Sequence, residues 1–467
     1  MRESVEREVK LVPPEGFQLP QLGRELPPRS FTSTYHDTPD LRLARHSVTL
    51  RHRLEDGAGL WQLKLPRGAA RIELEEPGPP ARPPKAFLDL LVAYLRGSEL
   101  RRVARLRTRR QSVRVEGAEI VDDSVAVLDG QRVTARFREL EVELIDGDED
   151  ALHRLEKALR DAGAEPGEFT PKLYRVLELV YPPETIELPA DASAGEVLRA
   201  ALAEQYDRLL AHDPGTRLGT DSEDLHQMRV ATRRSRAFLR AARPLLDPDW
   251  ASELRGELGW LGSALGPARD LDVLLEHLRD DVAAVHGEAA LGGFLEALGS
   301  EHEEARAAAV AALSDDRYFA LLDRLDGIEP RLMGDADRTL GDLWRAELRR
   351  TRRTFKALGP KSPDAELHLA RIKAKRARYA AELAARDLGR PGERFVSAAK
   401  RLQDVLGEHQ DAAVAEERII AWTTADPHRV AVAEPLLERE RERRRIARTE
   451  WPEAWAELDR RARKADA

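Results

Sequence analysis

The charged residues of this chain are spaced for two kinds of chemistry. Near the start, Glu6, Glu8 and Lys10 alternate, so an extended backbone carries all three on one face and Val5, Val9 and Leu11 on the other. The same two-residue period groups Arg51 with Arg53 around Lys64, then Arg105, Arg107 and Arg109, and finally Glu139, Glu141 and Glu143. Clustered carboxylates bind hard divalent ions such as Mg2+ or Mn2+, and bases neutralise phosphate oxygens. A face combining the two suits a metal-complexed phosphate chain. The bland alternative is the water-facing side of a half-buried sheet. Period alone leaves open whether that face points into a closed barrel or out to solvent.

A second set follows the helical period. His226, Arg229, Arg233 and Arg236 fall within an arc of about 80° on a helix. His368, Arg371, Lys375 and Arg378 repeat them 142 residues later. A third helix, Trp344 to Leu358, puts Arg345, Arg349, Arg352 and Lys356 on one side, beside Trp344, Leu348 and Phe355. Like charges at i,i+4 repel, so one-signed stripes call for a counter-anion unless they are solvated or salt-bridged internally. Guanidinium groups present fixed paired donors that match phosphate.

The elements that must position these residues divide the chain into a multidomain α+β protein. Residues 1–180 read as an antiparallel α+β unit, with short helices near 85–96 and 149–162 and a proline-rich loop at Pro77–Pro84. Residues 181–193 read as a linker holding Pro182, Pro183 and Pro189. From 194 to 460 the pattern is all-α and duplicated, with repeats at about 194–335 and 336–460. Leu261, Leu265, Gly266, Asp270 and Val273 recur as Leu402, Leu406, Gly407, Asp411 and Val414. Thr220 with Glu223 predicts a capping box, and Ser362-Pro363 an N-cap followed by proline at the first helical position.

Composition narrows the partners. The 467 residues include 76 Lys and Arg against 84 Asp and Glu, a net charge of -8, which disfavours a general nucleic-acid coat or a polybasic membrane binder. The absence of cysteine excludes disulfides, thiolate catalysis and cysteine-ligated metal. With no apolar leader and no run of 18 apolar residues, the expectation is a soluble, cytoplasmic protein.

The ordered series Glu6-x-Glu8-x-Lys10, Tyr35-His-Asp37-Thr38, Leu50-Arg51-His-Arg53, Leu63-Lys64-Leu65, Arg107-Thr-Arg109, Asp123-Ser-Val125 and Glu139-Leu-Glu141-Val-Glu143 resembles the CYTH superfamily, the triphosphate tunnel metalloenzymes. The second half, with His226-x-x-Arg229, His368-x-x-Arg371 and the two Leu-Gly-x-x-x-Asp turns, resembles the CHAD domain. For the first half the resemblance implies an eight-stranded antiparallel barrel forming a tunnel with flanking helices. Glu6, Glu8, Glu139 and Glu141 would hold Mg2+ or Mn2+. Lys10, Arg51, Arg53, Lys64, Arg107 and Arg109 would hold the triphosphate, and Asp123 would lie near metal or water. Asp122 competes with Asp123 for that place, and Glu143 shares the face of Glu139 and Glu141. Leu173-Tyr174 stands where the family often has a Ser-Tyr pair, which leaves Lys172 without an assigned role. For the second half the resemblance implies polyphosphate binding by His226, Arg229, Arg233, Arg236, His368, Arg371, Lys375 and Arg378, and the one-signed stripe of the third helix adds Arg349 and Arg352 as candidates. The expected function is inorganic triphosphatase activity on tripolyphosphate together with long-chain polyphosphate binding, at polyphosphate granules or free. The alternatives are a non-catalytic polyphosphate adaptor, a class IV-type adenylate cyclase and a thiamine triphosphatase.

Overall fold

The computed structural model describes the chain except residues 69, 116, 168–169, 183–185, 285–287, 334–337, 360 and 467, and except the side chains of 5–6, 283–284 and 288–290. It divides into two compact units, Met1–Ile186 and Glu187–Ala467.

In the first unit the elements run β1 (Arg2–Glu6), β2 (Glu8–Val12), β3 (Arg24–Glu25), β4 (Arg29–Asp37), α1 (Arg42–Arg45), β5 (Thr49–Glu55), β6 (Ala58–Arg67), β7 (Ala70–Pro77) and α2 (Lys85–Leu95). They continue with β8 (Arg101–Val115), β9 (Ala118–Asp129), β10 (Arg132–Leu144), α3 (Glu149–Asp161), β11 (Glu165–Pro166) and α4 (Lys172–Leu177). Strands β1 and β2 are one extended run interrupted at Arg7; β1 pairs with β7 and β2 with β10. The sheet order β1-β7-β6-β5-β4-β8-β9-β10-β2 therefore returns to its starting strand, and eight antiparallel strands close a barrel.

The alternation along each strand sends the charges inward. On β10, Leu140 and Val142 pack outward with Leu152, Leu155 and Leu159 of α3, which commits Glu139, Glu141 and Glu143 to the interior. On β5, Leu50 and His52 are buried on the outer side, and Arg51 and Arg53 line the interior. At one end the inward face turns apolar: Tyr35, Leu106 and Val125 pack with Leu173 and Tyr174 of α4 and stopper the barrel. The Asp37-Thr38 motif is scaffolding. Fully buried Asp37 accepts the backbone N–H groups of Thr38, Leu43 and Ala44 at 2.7–2.9 Å and fixes the turn into α1.

The second unit holds α5 (Ala194–Leu218), α6 (Ser222–Ala241), α7 (Pro248–Ala284), α8 (Glu288–Ala312), α9 (Asp316–Leu325), α10 (Leu340–Lys356), α11 (Asp364–Leu383), α12 (Ala385–Thr424) and α13 (Val430–Asp466). Helices α5–α8 and α10–α13 are the two copies of the repeat, each neighbour packed on the next, and α9 is an addition between them. Leu274, Leu278 and Val282 of α7 and Ile419 of α12 join residues of α8 and α13 in one core shared by both copies. Helices α6 and α11 also touch, so the two charged stripes come together. The caps differ from expectation. Asp221, not Thr220, caps α6 through the N–H of Glu223, and Pro363 takes the N-cap position of α11. Capping boxes form instead at Ser193 with Glu196 and at Thr339 with Asp342.

Candidate functional site

Inside the barrel is a cavity of about 250 Å³ whose lining is almost wholly charged or polar. Strand β2 contributes Glu8 and Lys10, β5 Arg51 and Arg53, β6 Gln62 and Lys64, and β7 Arg71, Glu73 and Glu75. Arg110 comes from β8, Glu141 and Glu143 from β10, and Lys172 from the start of α4. Buried charges persist only when paired, and here the pairing sorts them into two walls.

On the acidic wall, Lys10 bonds Glu141 and lies 3.8 Å from Glu8 and 3.6 Å from Glu139. Lys172 sits 2.6 Å from Glu139, 3.0 Å from Glu141 and 3.1 Å from Asp123. Arg110 clasps Asp123 with two bonds of 2.9 and 2.8 Å. Burial opposes the charge on Lys10, but Glu141 and then Glu8 outweigh it and hold its pKa up at about 12. Lys172 and Arg110 are likewise raised against their own burial, by Glu141 and Asp123 respectively. Burial would raise the pKa of Glu141, yet Lys10 and then Lys172 and Arg110 hold it well below the usual carboxylate value. Lys10, Lys172, Arg110 and Glu141 are thus held in their charged forms. On the opposite wall, Arg51 bonds Gln62 at 2.8 Å and lies 3.9 Å from Glu73, Lys64 is 3.7 Å from Glu73, and Arg53 bonds Glu55 while stacking over Phe31 at 4.0 Å. Burial and the neighbouring Arg51 lower the pKa of Arg53.

One carboxylate group fits a hard divalent ion: ligand oxygens of Glu8, Glu141 and Glu143 all lie within 4.8 Å of one another. Three clustered carboxylate oxygens are the donor chemistry of Mg2+ or Mn2+ sites. Glu139 lies deeper, against Lys172 and Lys10, and the Glu6 side chain lies outside the described residues, although its backbone pairs with Arg71. Asp123 faces inward and Asp122 outward, where it bonds Arg138.

The β8 expectation is corrected. Arg107 and Arg109 are exposed on the outer face, and the inward base is Arg110. Inward-pointing Phe31 on β4 pairs in register with Thr108, and Arg29 with Arg110, which fixes the even-numbered residues of β8 inside. Lys172, without an assigned role in the sequence, stands at the centre of the acidic wall. Its signal was its position at the start of a short helix after Pro171, which no strand period could reveal.

In the helical unit, α6, α7, α11 and α12 enclose a groove of about 840 Å³. It brings together His226, Arg229, Arg233, His368, Arg371, Lys375 and Arg378. The Leu-Gly-x-x-x-Asp motifs are not turns but lie inside α7 and α12, and this packing explains their glycines. A methyl group on Gly266 would lie 3.1 Å from the Arg229 guanidinium, and one on Gly407 3.3 Å from that of Arg371. Each glycine leaves room for the arginine of the adjoining helix. Asp270 lies 3.6 Å from Arg229. Burial and neighbouring arginines push the pKa values of Arg371 and Lys375 down, that of Lys375 to about 7. Such crowding of like charge awaits an anion. Three expected members lie elsewhere. Arg236 and Arg349 are exposed away from the groove, and Arg352 is bound to Asp459 at 2.7 Å and lies 3.8 Å from Asp466. Arg352 is thus salt-bridged internally to α13.

These features define a two-part protein: a β-barrel tunnel with opposed acidic and basic walls, and a duplicated helical unit with a cationic groove. The CYTH domain model matches residues 4–174 and the CHAD domain model residues 200–420. The chain belongs to the family of CYTH–CHAD fusion proteins. Rv2226 of Mycobacterium tuberculosis is 31% identical over 452 residues, 88% of this chain and 86% of its own. Among solved structures, PptA from Streptomyces chartreusis is 24% identical with a TM-score of 0.47, covering 57% of this chain and 100% of that one. The CHAD domain from the plant Ricinus communis is 25% identical with a TM-score of 0.44, covering 61% of this chain and 95% of that one. CYTH proteins form a superfamily of divalent-metal-dependent, phosphate-transferring enzymes. No helix among the described residues is long and apolar enough to cross a membrane.

Proposed function

We propose that the barrel unit is a divalent-metal-dependent inorganic triphosphatase that hydrolyses tripolyphosphate, and that the helical unit binds long-chain inorganic polyphosphate. The observation that carries the first part is the convergence of Glu8, Glu141 and Glu143 with Arg51, Arg53, Lys64 and Arg110 on one cavity of about 250 Å³. Glu8, Glu141 and Glu143 would hold Mg2+ or Mn2+, which when bound supplies positive charge to the phosphoryl oxygens. Arg51, Arg53 and Lys64 bind the equatorial oxygens from the opposite wall, and Arg110 from the side of Asp123. Lys10 and Lys172 keep Glu141 ionised and hold the acidic wall in place. Water attacks the terminal phosphorus in line with the bridging oxygen. A P–O bond forms to the water oxygen as the bond to the diphosphate breaks, and the attacking water gives its proton to solvent or a tunnel carboxylate. The bases neutralise charge on both the transferring and the leaving groups.

The lining favours an inorganic substrate. Among the described residues the inward-facing aromatics at the cavity, Tyr35 and Phe31, are engaged by Arg51 and by Arg53 respectively, so a nucleobase or thiazolium ring finds no free stacking surface there. A panel of tripolyphosphate, ATP and thiamine triphosphate, each with Mg2+ and Mn2+, tests this. The expected result is the highest kcat/KM with tripolyphosphate. Preference for ATP or thiamine triphosphate would replace the substrate, and no phosphate release from any of the three would leave a polyphosphate-binding adaptor.

A further inference from the structure

The helical unit carries a second basic cavity, of about 540 Å³, outside the α6–α11 groove. Its walls include Arg240 at the end of α6, Arg243 just beyond it, Arg255 on α7 and Arg349 on α10. After burial, Arg240 and then Arg236 of α6 depress the pKa of Arg255, and Arg240 depresses that of Arg376 on α11, where Glu347 pulls the other way. The lining carboxylates are already engaged. Asp342 caps α10 and lies 3.1 Å from Arg345, and Glu347 bonds Arg350 at 2.6 Å. Among the described residues no ion pair reaches Arg236, Arg240, Arg243, Arg255, Arg349 or Arg376, and the Nε atoms of Arg240 and Arg255 are buried without an acceptor. The guanidinium groups of Arg240, Arg243, Arg255 and Arg349 line one cavity, and Arg240 and Arg255 are half-buried there with no ion-pair partner among the described residues, which is costly unless an anion supplies the missing charge.

The cavity is also peculiar to one copy of the repeat. At the offset of 142 residues, Arg240 corresponds to Glu382, Arg243 to Ala385 and Arg349 to Asp207, and at the 141-residue offset of the Leu261 and Leu402 segments Arg255 corresponds to Val396. The duplicated motif that builds the groove therefore does not account for it.

We propose that this cavity is a second oligophosphate site, so that a long polyphosphate chain is held at two places along α6. The proposal rests on the reading of the groove as a polyphosphate site. From His226 to Arg240 the helix rises about 21 Å, at 1.5 Å per residue. A chain long enough to cover that span gains the second contact intramolecularly, and a shorter one does not. Affinity should then climb with chain length beyond what charge count alone gives.

The test measures equilibrium binding of length-fractionated inorganic polyphosphate to the full chain at fixed salt. It compares the wild type, Arg243→Glu/Arg349→Glu and Arg371→Glu, with Arg243→Gln/Arg349→Gln as the milder control and circular dichroism as the check on folding. The expected result is a loss of about tenfold or more for long chains in both cavity variants, with fractions shorter than the span nearly unaffected. Unchanged long-chain affinity in the cavity variants, with binding abolished by Arg371→Glu, overturns the second site and leaves the groove reading standing. Unchanged affinity in all variants overturns the groove reading itself. Single-stranded RNA binding more tightly than polyphosphate at the same salt, and lost in the cavity variants, overturns the oligophosphate assignment.

Discussion

On the proposed reading of the groove, Lys375 couples polyphosphate binding to the uptake of a proton, and the sign of the effect follows from its neighbours. Burial, then Arg371, Arg233 and Arg378, pull its pKa from 10.5 to about 7, and among its named neighbours only Asp411 pulls the other way. At pH 8 the empty groove therefore holds Lys375 mostly neutral. A bound phosphate chain supplies the negative charge that those arginines lack and pulls a proton back onto the amine. Between about 7 and 10.5 the complex binds more protons than the free protein, so affinity must fall as pH rises. The limit is one proton, or up to about tenfold per pH unit, ~1.4 kcal/mol. Burial and Arg269 lower the pKa of His226 from 6.5, so its titration lies below this window. The assay is titration calorimetry with long-chain polyphosphate from pH 6.5 to 9, in two buffers of different ionisation enthalpy at pH 8. Wild type should take up a fraction of a proton approaching one, and Lys375→Met should take up none and bind with a flat pH profile. A flat wild-type profile, or a slope that survives Lys375→Met, refutes the reasoning.

Other expectations follow from single contacts. Gly266→Ala puts a methyl group 3.1 Å from the Arg229 guanidinium; it should displace that group and weaken polyphosphate binding by about tenfold, ~1.4 kcal/mol, at near-normal stability. Lys172→Met removes the cation that lies within 3.1 Å of Asp123, Glu139 and Glu141. Denaturant titration should show a loss of about 3–5 kcal/mol at neutral pH. That deficit should shrink as pH falls towards the usual carboxylate value of 4.5, because protonating the stranded acids relieves their repulsion. Arg53→Ala should raise the KM for tripolyphosphate about ten- to a hundredfold by deleting a charged donor worth ~1.5–3 kcal/mol. Arg107→Ala combined with Arg109→Ala, both on the outer face, should leave KM within about twofold, a difference below ~0.5 kcal/mol.

The sequence is most informative where a face repeats without interruption. On β10, alternation from Glu139 to Glu143 places three acids on one side, and Leu140 and Val142 pack on the other against α3. The helical stripes likewise meet because α6 and α11 are copies that touch, which the 142-residue repeat anticipates. Strand β8 misleads because Arg109 and Arg110 are adjacent: both parities carry arginine, and only pairing with β4 selects Arg110. Lys172 is invisible to periodicity because a helix start delivers it to the tunnel after the last long strand. Arg352 sits correctly on its stripe, but its partner Asp459 lies 107 residues further along, a distance that no local pattern spans.

Phosphate release from tripolyphosphate by the full chain with Mg2+ or Mn2+, compared with Glu8→Gln and Glu143→Gln, weighs the account most directly. Turnover that needs the ion, and that falls by orders of magnitude in both variants while their melting temperatures hold, is the predicted result. Undiminished, ion-independent release in either variant would contradict the claim that the opposed walls of the tunnel do the chemistry.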